Sequence, residues 1–379
     1  MAGKQKDTLT LMAGGDVGPV YEPTEQFAEL IAPTLQKADV RLAQCERVYS
    51  ENGGIEPQFV YGPGGNHGRQ HPRMAGIWNA AGIDIVSLAG NHALDWGPEA
   101  LLDTVELFRG MGKHVIGAGK DEEEACAPAI IEKNGVRIAV LSYCSVLRDG
   151  QAAGPGKPGV APARAHTYYA PEEFQPGSPP KIITVPHEPD VLALQEVIRK
   201  AKQQADVVIL SIHWGLRHVA KTICGYQQPI AHAAIDAGCD LILGHHAHSI
   251  KAVEVYKGKV CFYSIGNFLQ TGSKSLSTGT FDWNLVWYKI DEDCRPPNGM
   301  YNFPPHCRMT MVAKAVIGKQ GIEKVSFLPA YINHRAQPYA VGASDPKFKE
   351  ILEYTEWVSD QHPHKFRVEG DEVVVDTSA

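Results

Sequence analysis

Short apolar segments that alternate with helical patterns are the feature that most constrains the fold of this chain. The segments LTLMAGG, IDIVSLAG, ADVVILSI and DLILG each have the length and composition of a buried strand, and helical patterns precede the last three. One of these patterns places Val191, Leu194, Ile198 and Ala201 on one helix face. Strands separated by helices are typical of layered α/β proteins. We therefore predict an α/β fold.

Each of these four segments runs into a side chain that can bind a metal ion. Asp16 follows the first segment, Asn91 the second and His213 the third, while the fourth leads into GHHAHS, which contains His246 and His248. In α/β sheets, the loops beyond the carboxyl ends of the strands converge on ligand sites. Imidazole nitrogens mixed with oxygen donors suit ions such as Mn, Fe or Zn. The pattern predicts a metal site at one sheet edge.

Composition narrows the class of protein. The chain has 379 residues, a net charge of −7, 44% hydrophobic and 21% charged residues, which is typical of a globular protein and argues against a general nucleic-acid binder. No apolar run reaches the roughly 18 residues of a membrane span, and the start lacks a signal-peptide pattern. Eight scattered cysteines without a CxxC pair indicate buried thiols. We expect a cytoplasmic protein without a membrane span.

Two parts of the chain depart from the alternating pattern. Residues 148–190 are rich in proline and glycine, which predicts a long loop or lid between two strands. The segment 341–379 predicts a helix followed by a terminal hairpin. We therefore predict a main domain over residues 8–340 and a C-terminal extension over residues 341–379.

The order of the motifs resembles that of a known superfamily. GGD at 14–16, GNHALDWG at 90–97, SIHWG at 211–215 and GHHAHS at 244–249 are similar to the motifs of calcineurin-like metallophosphoesterases. Within that superfamily, GNHALDWG, HWG and VCFYSIGNF resemble the CapA family, named for poly-gamma-glutamate capsule synthesis. The resemblance covers about residues 8–340. It implies a four-layer α/β/β/α sandwich with two central mixed sheets, and two divalent metal ions at the sheet edge.

The resemblance also implies roles for individual residues. The metal ligands would be Asp16, Glu46, Asn91, His213, His246 and His248, with Glu46 as the carboxylate that bridges the ions. His92 would be the catalytic acid or base, oriented by Asp95. The candidate substrate-binding residues are Arg217, His67, Arg73 and Asn267.

Three departures from the family pattern affect this interpretation. Gly18 stands where many metallophosphoesterases have a histidine, so one metal ion lacks a ligand and the number of ions, one or two, stays open. Gln44 and Cys45 precede Glu46 in place of the usual Asn-Leu pair. Arg217 replaces a glutamate after the HWG element, and a guanidinium there favours an anionic substrate.

These features predict a metal-dependent hydrolase in which a metal-bound hydroxide attacks a small anionic substrate. The superfamily favours phosphoesters, whereas the CapA branch raises amide or ester bonds as the target. Two ions of Mn, Fe or Zn are expected. The alternative is a non-catalytic protein of capsule or poly-gamma-glutamate assembly that retains the fold, and a lyase or oxygen-using enzyme with an iron pair stays open. Substrate identity and homo-oligomer formation are not determined by the sequence.

Overall fold

The structure is a computed structural model, and it describes residues 7–54, 69–272, 292–294 and 299–378. The helices in these ranges are α1 (Ala32–Leu35), α2 (Gly76–Ala80), α3 (Gly97–Gly110), α4 (Glu122–Cys126), α5 (Glu188–Lys202), α6 (Gln227–Asp236) and α7 (Pro346–Ser359). Short 3-10 helices span Thr24–Ala28, Pro72–Ala75, Glu292–Cys294 and Pro305–Arg308. The strands are β1 (Leu9–Gly18), β2 (Val40–Cys45), β3 (Ile85–Ser87), β4 (His114–Ile116), β5 (Ala118–Gly119), β6 (Ala129–Lys133), β7 (Val136–Cys144), β8 (Gly159–Val160), β9 (Ala165–Ala170), β10 (Lys181–Pro186), β11 (Val207–His213), β12 (Leu241–His245), β13 (Val253–Tyr256), β14 (Lys259–Phe262), β15 (Asn267–Gln270), β16 (Met309–Gly318), β17 (Gly321–Ile332), β18 (Pro338–Ala340), β19 (Phe366–Glu369) and β20 (Glu372–Val375).

Two mixed sheets form the centre of the fold. The larger sheet has the order β19-β20-β17-β16-β1-β2-β3-β4, with β15 paired to β1 and β18 to β17. Its strands β1 to β4 are parallel, and β16 and β17 run antiparallel. The smaller sheet has the order β13-β14-β12-β11-β7-β6, and its strands β7, β11, β12 and β14 are parallel. Each sheet therefore has a block of parallel strands whose carboxyl ends share one edge.

The side-chain alternation along the strands places a core between the two sheets. Leu11 of β1 and Ile209 of β11 belong to one buried cluster that draws on both sheets. Their neighbours Met12 and Leu210 point to the opposite faces and lie in two other clusters. Strands that are apolar on both faces are typical of sheets covered on both sides. The sequence therefore reads as continuous apolar runs because both faces of these strands are buried.

Helices cover the outer face of each sheet. Leu101 of α3 and Trp78 of α2 pack on the outer face of the larger sheet. Leu194 of α5 and Ile230 of α6 pack on the outer face of the smaller one. The result is the four-layer α/β/β/α sandwich that the family resemblance implies, and this fold class is confirmed. No helix in the described ranges is long and apolar enough to cross a bilayer.

The C-terminal residues pack onto the main fold. Helix α7 contributes Phe348, Ile351 and Val358 to the cluster between the sheets. The hairpin β19-β20 continues the larger sheet, because β20 pairs with β17. Residues after 341 therefore share their core with the residues before them.

The segment 148–190 is more ordered than the loop predicted from its glycines and prolines. Strand β8 pairs with β5, and Ala153 and Ala161 are buried. Further along, β9 and β10 form a two-stranded hairpin with Tyr168 opposite Ile183. The prolines and glycines flank these strands rather than interrupt them, so composition alone conceals the short alternating stretches AHTYYA and KIITVP.

Candidate metal centre

The predicted ligands meet at the shared edge of the two sheets. Asp16 lies near the end of β1, Glu46 directly follows β2, and His213 is the last residue of β11. The exposed fractions of these three side chains are 0%, 1% and 0%. Each of the three offers one ligand atom, and these atoms lie within 4.8 Å of one another. Parallel strands with a common carboxyl edge thus bring together residues that are up to 197 positions apart.

Hydrogen-bonded polar residues lie two positions before this edge along the strands, where the two sheets face each other. Ser87 of β3 donates to Gln44 Oε1 at 2.5 Å, and its hydroxyl is 2.6 Å from that of Ser142 on β7. The Ser211 hydroxyl of β11 donates to Ser87 Oγ at 3.3 Å. These contacts tie the two sheets together under Glu46 and His213, which are two residues further along their strands.

Two glycines allow the backbone to pass close to the site. A Cβ atom on Gly15 would lie 1.8 Å from the carbonyl oxygen of Gly266, and one on Gly244 would lie 2.1 Å from that of Tyr263. Both distances are far below any real contact. The close approach lets β15 pair with β1, so that Asn267 lies beside Asp16 in the sheet register.

The turn after β12 holds two histidines in an unusual conformation. His246 has a φ of 82° and His248 a φ of 56°, in the left-handed region that residues with a Cβ rarely adopt. Such a conformation costs on the order of 1 kcal/mol or more and persists where the surroundings determine it. Both side chains are more than nine-tenths buried. The turn therefore directs two imidazoles into the site.

Three side chains converge on one ring nitrogen of His213. Its Nε2 lies 2.8 Å from Asn91 Oδ1, 3.0 Å from His246 Nδ1 and 3.8 Å from Glu46 Oε2. His213 Nε2 carries at most one hydrogen, so it can donate to only one of these three atoms. Several lone pairs that face one small volume are the donor arrangement that a cation requires.

His248 joins the two carboxylates. Its Nδ1 is 2.8 Å from Asn267 Oδ1 and 3.2 Å from Asp16 Oδ2, and its Nε2 is 3.5 Å from Glu46 Oε1. Burial lowers the pKa of this imidazole, but the contact with Asp16 and the charges of Glu46 and Asp16 outweigh burial and raise it overall. The ring thus lies between the two carboxylates, within reach of both.

The carboxylates themselves have unsatisfied oxygens. Within the described part of the chain, neither oxygen of Glu46 accepts a hydrogen bond; Asp16 Oδ1 also has no donor there, whereas Asp16 Oδ2 lies 3.2 Å from His248 Nδ1. Burial, followed by the charge of Asp16, raises the pKa of Glu46 to about 8. A buried carboxylate without a donor is costly unless a cation compensates for it. The donor set therefore fits a divalent ion, for which Asp16, Glu46 and His213 are the nearest ligands.

Two histidines of the site, His213 and His246, are in the protonation state that metal binding needs. Burial and the neighbouring imidazoles lower the pKa of His213 and of His246 well below the usual value. Both rings are therefore neutral near pH 7, and a neutral imidazole is the form that binds a metal ion.

His92 and Asp95 form a buried pair beside the ligands. His92 Nδ1 is 2.7 Å from Asp95 Oδ2, and the two side chains are 4% and 1% exposed. Burial lowers the pKa of His92 more than the hydrogen bond and charge of Asp95 raise it. The ring orientation is thus held by the carboxylate, as the spacing of the two residues in the sequence predicts.

The predicted substrate-binding residues have different surroundings. Asn267 lies in the site, between His248 and the Tyr301 hydroxyl that accepts a hydrogen bond from Asn267 Nδ2 at 2.8 Å. Arg217 is exposed, and its charge acts on His246. Arg73 is exposed and binds Glu22 through two hydrogen bonds of 2.9 Å, so its surroundings give no support for contact with a substrate. His67 lies outside the described residues.

The structure adds two residues to the site for which the sequence analysis proposed no role, His245 and Arg47. His245, the first histidine of GHHAHS, is fully buried with Nδ1 4.0 Å from Asp16 Oδ1, and neither ring nitrogen has a hydrogen-bond partner in the described ranges. Arg47 is 4% exposed and follows Glu46 directly. The GHHAHS motif contains His245 and could have identified it as a site residue. The burial of Arg47 depends on contacts from distant strands.

The fold and the site together define a layered α/β sandwich with a candidate metal centre at the edge shared by its two sheets. The chain belongs to the family described as bacterial capsule synthesis protein PGA_cap, whose family model matches residues 2–271. The predicted CapA-like family is thus confirmed.

Named relatives are found in several bacteria. The chain is 35% identical over 210 residues to the PGA biosynthesis protein CapA of Bacillus subtilis, a match that covers 55% of this chain and 47% of the relative. It is 32% identical over 217 residues to the capsule biosynthesis protein CapA of Bacillus anthracis, with 56% and 46% covered. A probable polyglutamine synthesis accessory protein of Mycobacterium tuberculosis is 30% identical over 206 residues, with 52% and 48% covered. The matches therefore span about half the length of these relatives.

Among solved structures, the chain is similar to the calcineurin-like phosphoesterase YfkN of Bacillus subtilis. The superposition covers 93% of this chain and 98% of that one, with 14% sequence identity and a TM-score of 0.39. Similarity at this level assigns no activity.

Proposed function

We propose that the protein is a metal-dependent hydrolase that acts on a small anionic substrate. The observation that supports this most directly is the buried carboxylate of Glu46, which lacks hydrogen-bond donors in the described ranges and which, with Asp16 and His213, offers ligand atoms within 4.8 Å of one another. Purely structural carboxylates are normally satisfied by donors when buried. Two buried carboxylates beside the neutral imidazoles of His213 and His246 form a donor set that suits a divalent metal ion.

The ligands divide into two groups around the shared carboxylate. Glu46 lies 3.8 Å from His213 Nε2 on one side and 3.5 Å from His248 Nε2 on the other, so it is placed to bridge two positions. Asp16, Glu46 and His213 would hold one ion, and Asn91, His246 and His248 would supply further donors for a second ion beside Glu46. A bound divalent ion would polarise the scissile bond and lower the pKa of a water molecule.

His92 would handle the proton of the reaction. Hydrolysis forms a bond from a water oxygen to phosphorus or to a carbonyl carbon, breaks the bond to the leaving atom, and delivers a proton to that atom. Asp95 holds His92 through Nδ1, and Nε2 would be the nitrogen that exchanges a proton with the substrate. The low pKa of His92 keeps the ring able to accept a proton near pH 7.

Two separate considerations bear on the class of the bond that is cleaved. Metal pairs of this ligand type act on phosphoesters and on amides or esters alike. The relatives named for capsule and polyglutamine synthesis favour a carbon-centred bond in an anionic polymer or its precursor. We propose that phosphoester, amide and ester substrates all be tested, with anionic groups near the scissile bond.

The names of the relatives also favour a second candidate function. "Biosynthesis protein" and "accessory protein" are compatible with a non-catalytic role in capsule or poly-gamma-glutamate assembly. In such a protein the fold could be retained together with a structural metal ion, and substitution of His92 would leave the function intact.

One set of variants separates the two candidates. His213→Ala should lose metal by elemental analysis and all hydrolysis, and His92→Gln should keep its metal but lose hydrolysis. His114→Ala, at an exposed histidine on β4, is the matched control and should change neither. Wild-type protein that binds no metal, or that binds metal and cleaves none of the phosphoester, amide and ester substrates, would contradict the hydrolase proposal.

A further inference from the structure

We propose that Arg47 is the residue that binds the anionic group of the substrate, an oxyanion of the phosphate or carboxylate type. The inference rests on the proposed function, since it places the substrate beside the metal ligands. It assigns to Arg47 the role that the sequence analysis considered for Arg73 and Arg217, although no motif in the sequence points to Arg47.

Arg47 is buried, and its Nε–H has no hydrogen-bond acceptor in the described part of the chain. The side chain is 4% exposed, and the Nε atom has no hydrogen-bond partner among the residues that the structure describes. A guanidinium has five N–H donors, and a buried one is normally paired with a carboxylate or with carbonyl oxygens. Leaving such a donor unsatisfied in a low-dielectric interior is costly. A ligand that supplies acceptor oxygens would remove that cost.

The side chain lies along the strand that carries Asp16. A Cβ atom placed on Gly18 would be 3.0 Å from Arg47 Cγ and 3.2 Å from Arg47 Nε, so the arginine stem passes over Gly18. On the same face, Gln270 Oε1 would be 2.4 Å from that Cβ, and this oxygen is likewise buried without a donor in the described ranges. Gly18 and Gln270 are register partners of β1 and β15.

The absence of a side chain at Gly18 therefore has a structural reason. The position two residues after Asp16 could carry a ligand, but the space is filled by Arg47 and Gln270. The chain has a cation with an unpaired Nε–H, within the described ranges, at the place where a further imidazole would otherwise stand. The site therefore has a guanidinium, which attracts anions, in the place of an imidazole, which would bind a metal ion.

Electrostatics favour an anion next to Arg47 once a metal ion is present. The carboxylate of Glu46 is the charge that acts most strongly on Arg47, and that of Asp95 also contributes. A divalent ion held by Asp16 and Glu46 neutralises the charge of Glu46, and Asp95 is engaged by His92 at 2.7 Å. The positive charge of Arg47 is then uncompensated in a buried position, so a bound metal ion and an oxyanion should favour each other.

The other two candidate arginines are less suited to this role. Arg73 is exposed and already binds both oxygens of Glu22. Arg217 is exposed, and interactions of exposed charges are weakened by water and salt. An arginine inside the protein is screened less and can position an anion relative to the metal ligands.

Inorganic phosphate and acetate are suitable probes, because they represent the two sources of the same oxyanion chemistry. Calorimetric titration of each into the Zn²⁺-loaded protein gives its dissociation constant, and elemental analysis gives the metal content. We expect Arg47→Met to weaken the binding of at least one probe by tenfold or more with unchanged metal content, and Arg47→Lys to weaken it less. Arg73→Met is the matched control and should leave binding within twofold of wild type.

Equal affinity of both probes for wild type and for folded Arg47→Met would overturn the inference, as would a large loss in Arg217→Met with no loss in Arg47→Met. If neither Arg47 variant folds, crystals of the wild-type protein grown with Zn²⁺ and phosphate decide the question. A phosphate oxygen within hydrogen-bond distance of the guanidinium supports the inference, and a phosphate bound only elsewhere refutes it. These readouts do not require turnover, so an inactive protein that binds phosphate through Arg47 would refute the hydrolase proposal alone.

Discussion

Replacing Glu46 with glutamine should make the metal-free protein more stable while it removes metal binding. Glu46 is 1% exposed and its carboxylate has no hydrogen-bond donor in the described part of the chain. Burial and the nearby charge of Asp16 raise its pKa from 4.5 to about 8. A residue selected for packing alone would not carry such a penalty, whereas a ligand residue carries it whenever the ion is removed.

The sign and size of the effect follow from linkage between protonation and folding. A carboxyl group whose pKa is raised in the folded state stabilises folding fully below its unfolded pKa, and this stability is lost as the pH rises through the window from 4.5 to about 8. Each pKa unit is worth about 1.4 kcal/mol, so the penalty at pH 7 is on the order of 3 kcal/mol. Glutamine at this position has no charge to bury and escapes the loss.

The assay is urea unfolding of EDTA-treated protein at several pH values between 5 and 8. The free energy of unfolding of wild type should fall relative to that of Glu46→Gln as the pH rises. Glu254→Gln is the matched control, because Glu254 is 2% exposed but accepts hydrogen bonds from Tyr263 and Gln228 at 2.7 and 3.0 Å. That variant should be less stable than wild type. A Glu46→Gln protein that is less stable than wild type at pH 8 would refute the reasoning.

Three further changes test other parts of the structure. Asp95→Asn should lower turnover about 100-fold or more without loss of metal, measured by kinetics and elemental analysis, because it disturbs only the orientation of the base. Gly15→Ala should cost at least about 2 kcal/mol in urea unfolding and lower the metal content, since its Cβ would clash with Gly266. Ile351→Ala should cost about 2–5 kcal/mol, and Trp357→Ala, at a side chain 47% exposed, much less.

The alternating pattern was sufficient to predict an α/β fold and the edge at which the ligands meet, and the family resemblance implied the four layers. Asp16, Asn91 and His213 each end an apolar segment, and parallel strands necessarily place such ends side by side. The pairing of His92 with Asp95 was also predictable, because two residues three positions apart in one turn are close in any fold.

Other features depend on contacts that sequence spacing does not encode. The burial of Arg47 requires β15 to lie beside β1 in the register that pairs Gly18 with Gln270, residues 252 positions apart in the chain. The hairpin β9-β10 was missed because its strands lie in a segment whose glycines and prolines dominate the composition. In both cases tertiary pairing, rather than local propensity, determines the structure.

The central claim is that Asp16, Glu46 and His213 bind a divalent metal ion, and anomalous diffraction tests it most directly. Crystals grown with Mn²⁺ and measured near the manganese absorption edge should show an anomalous peak bonded to all three side chains, and the peak should be absent from crystals of Asp16→Asn. A wild-type crystal grown at millimolar Mn²⁺ that shows no peak at these side chains, or a peak only elsewhere, would contradict the account.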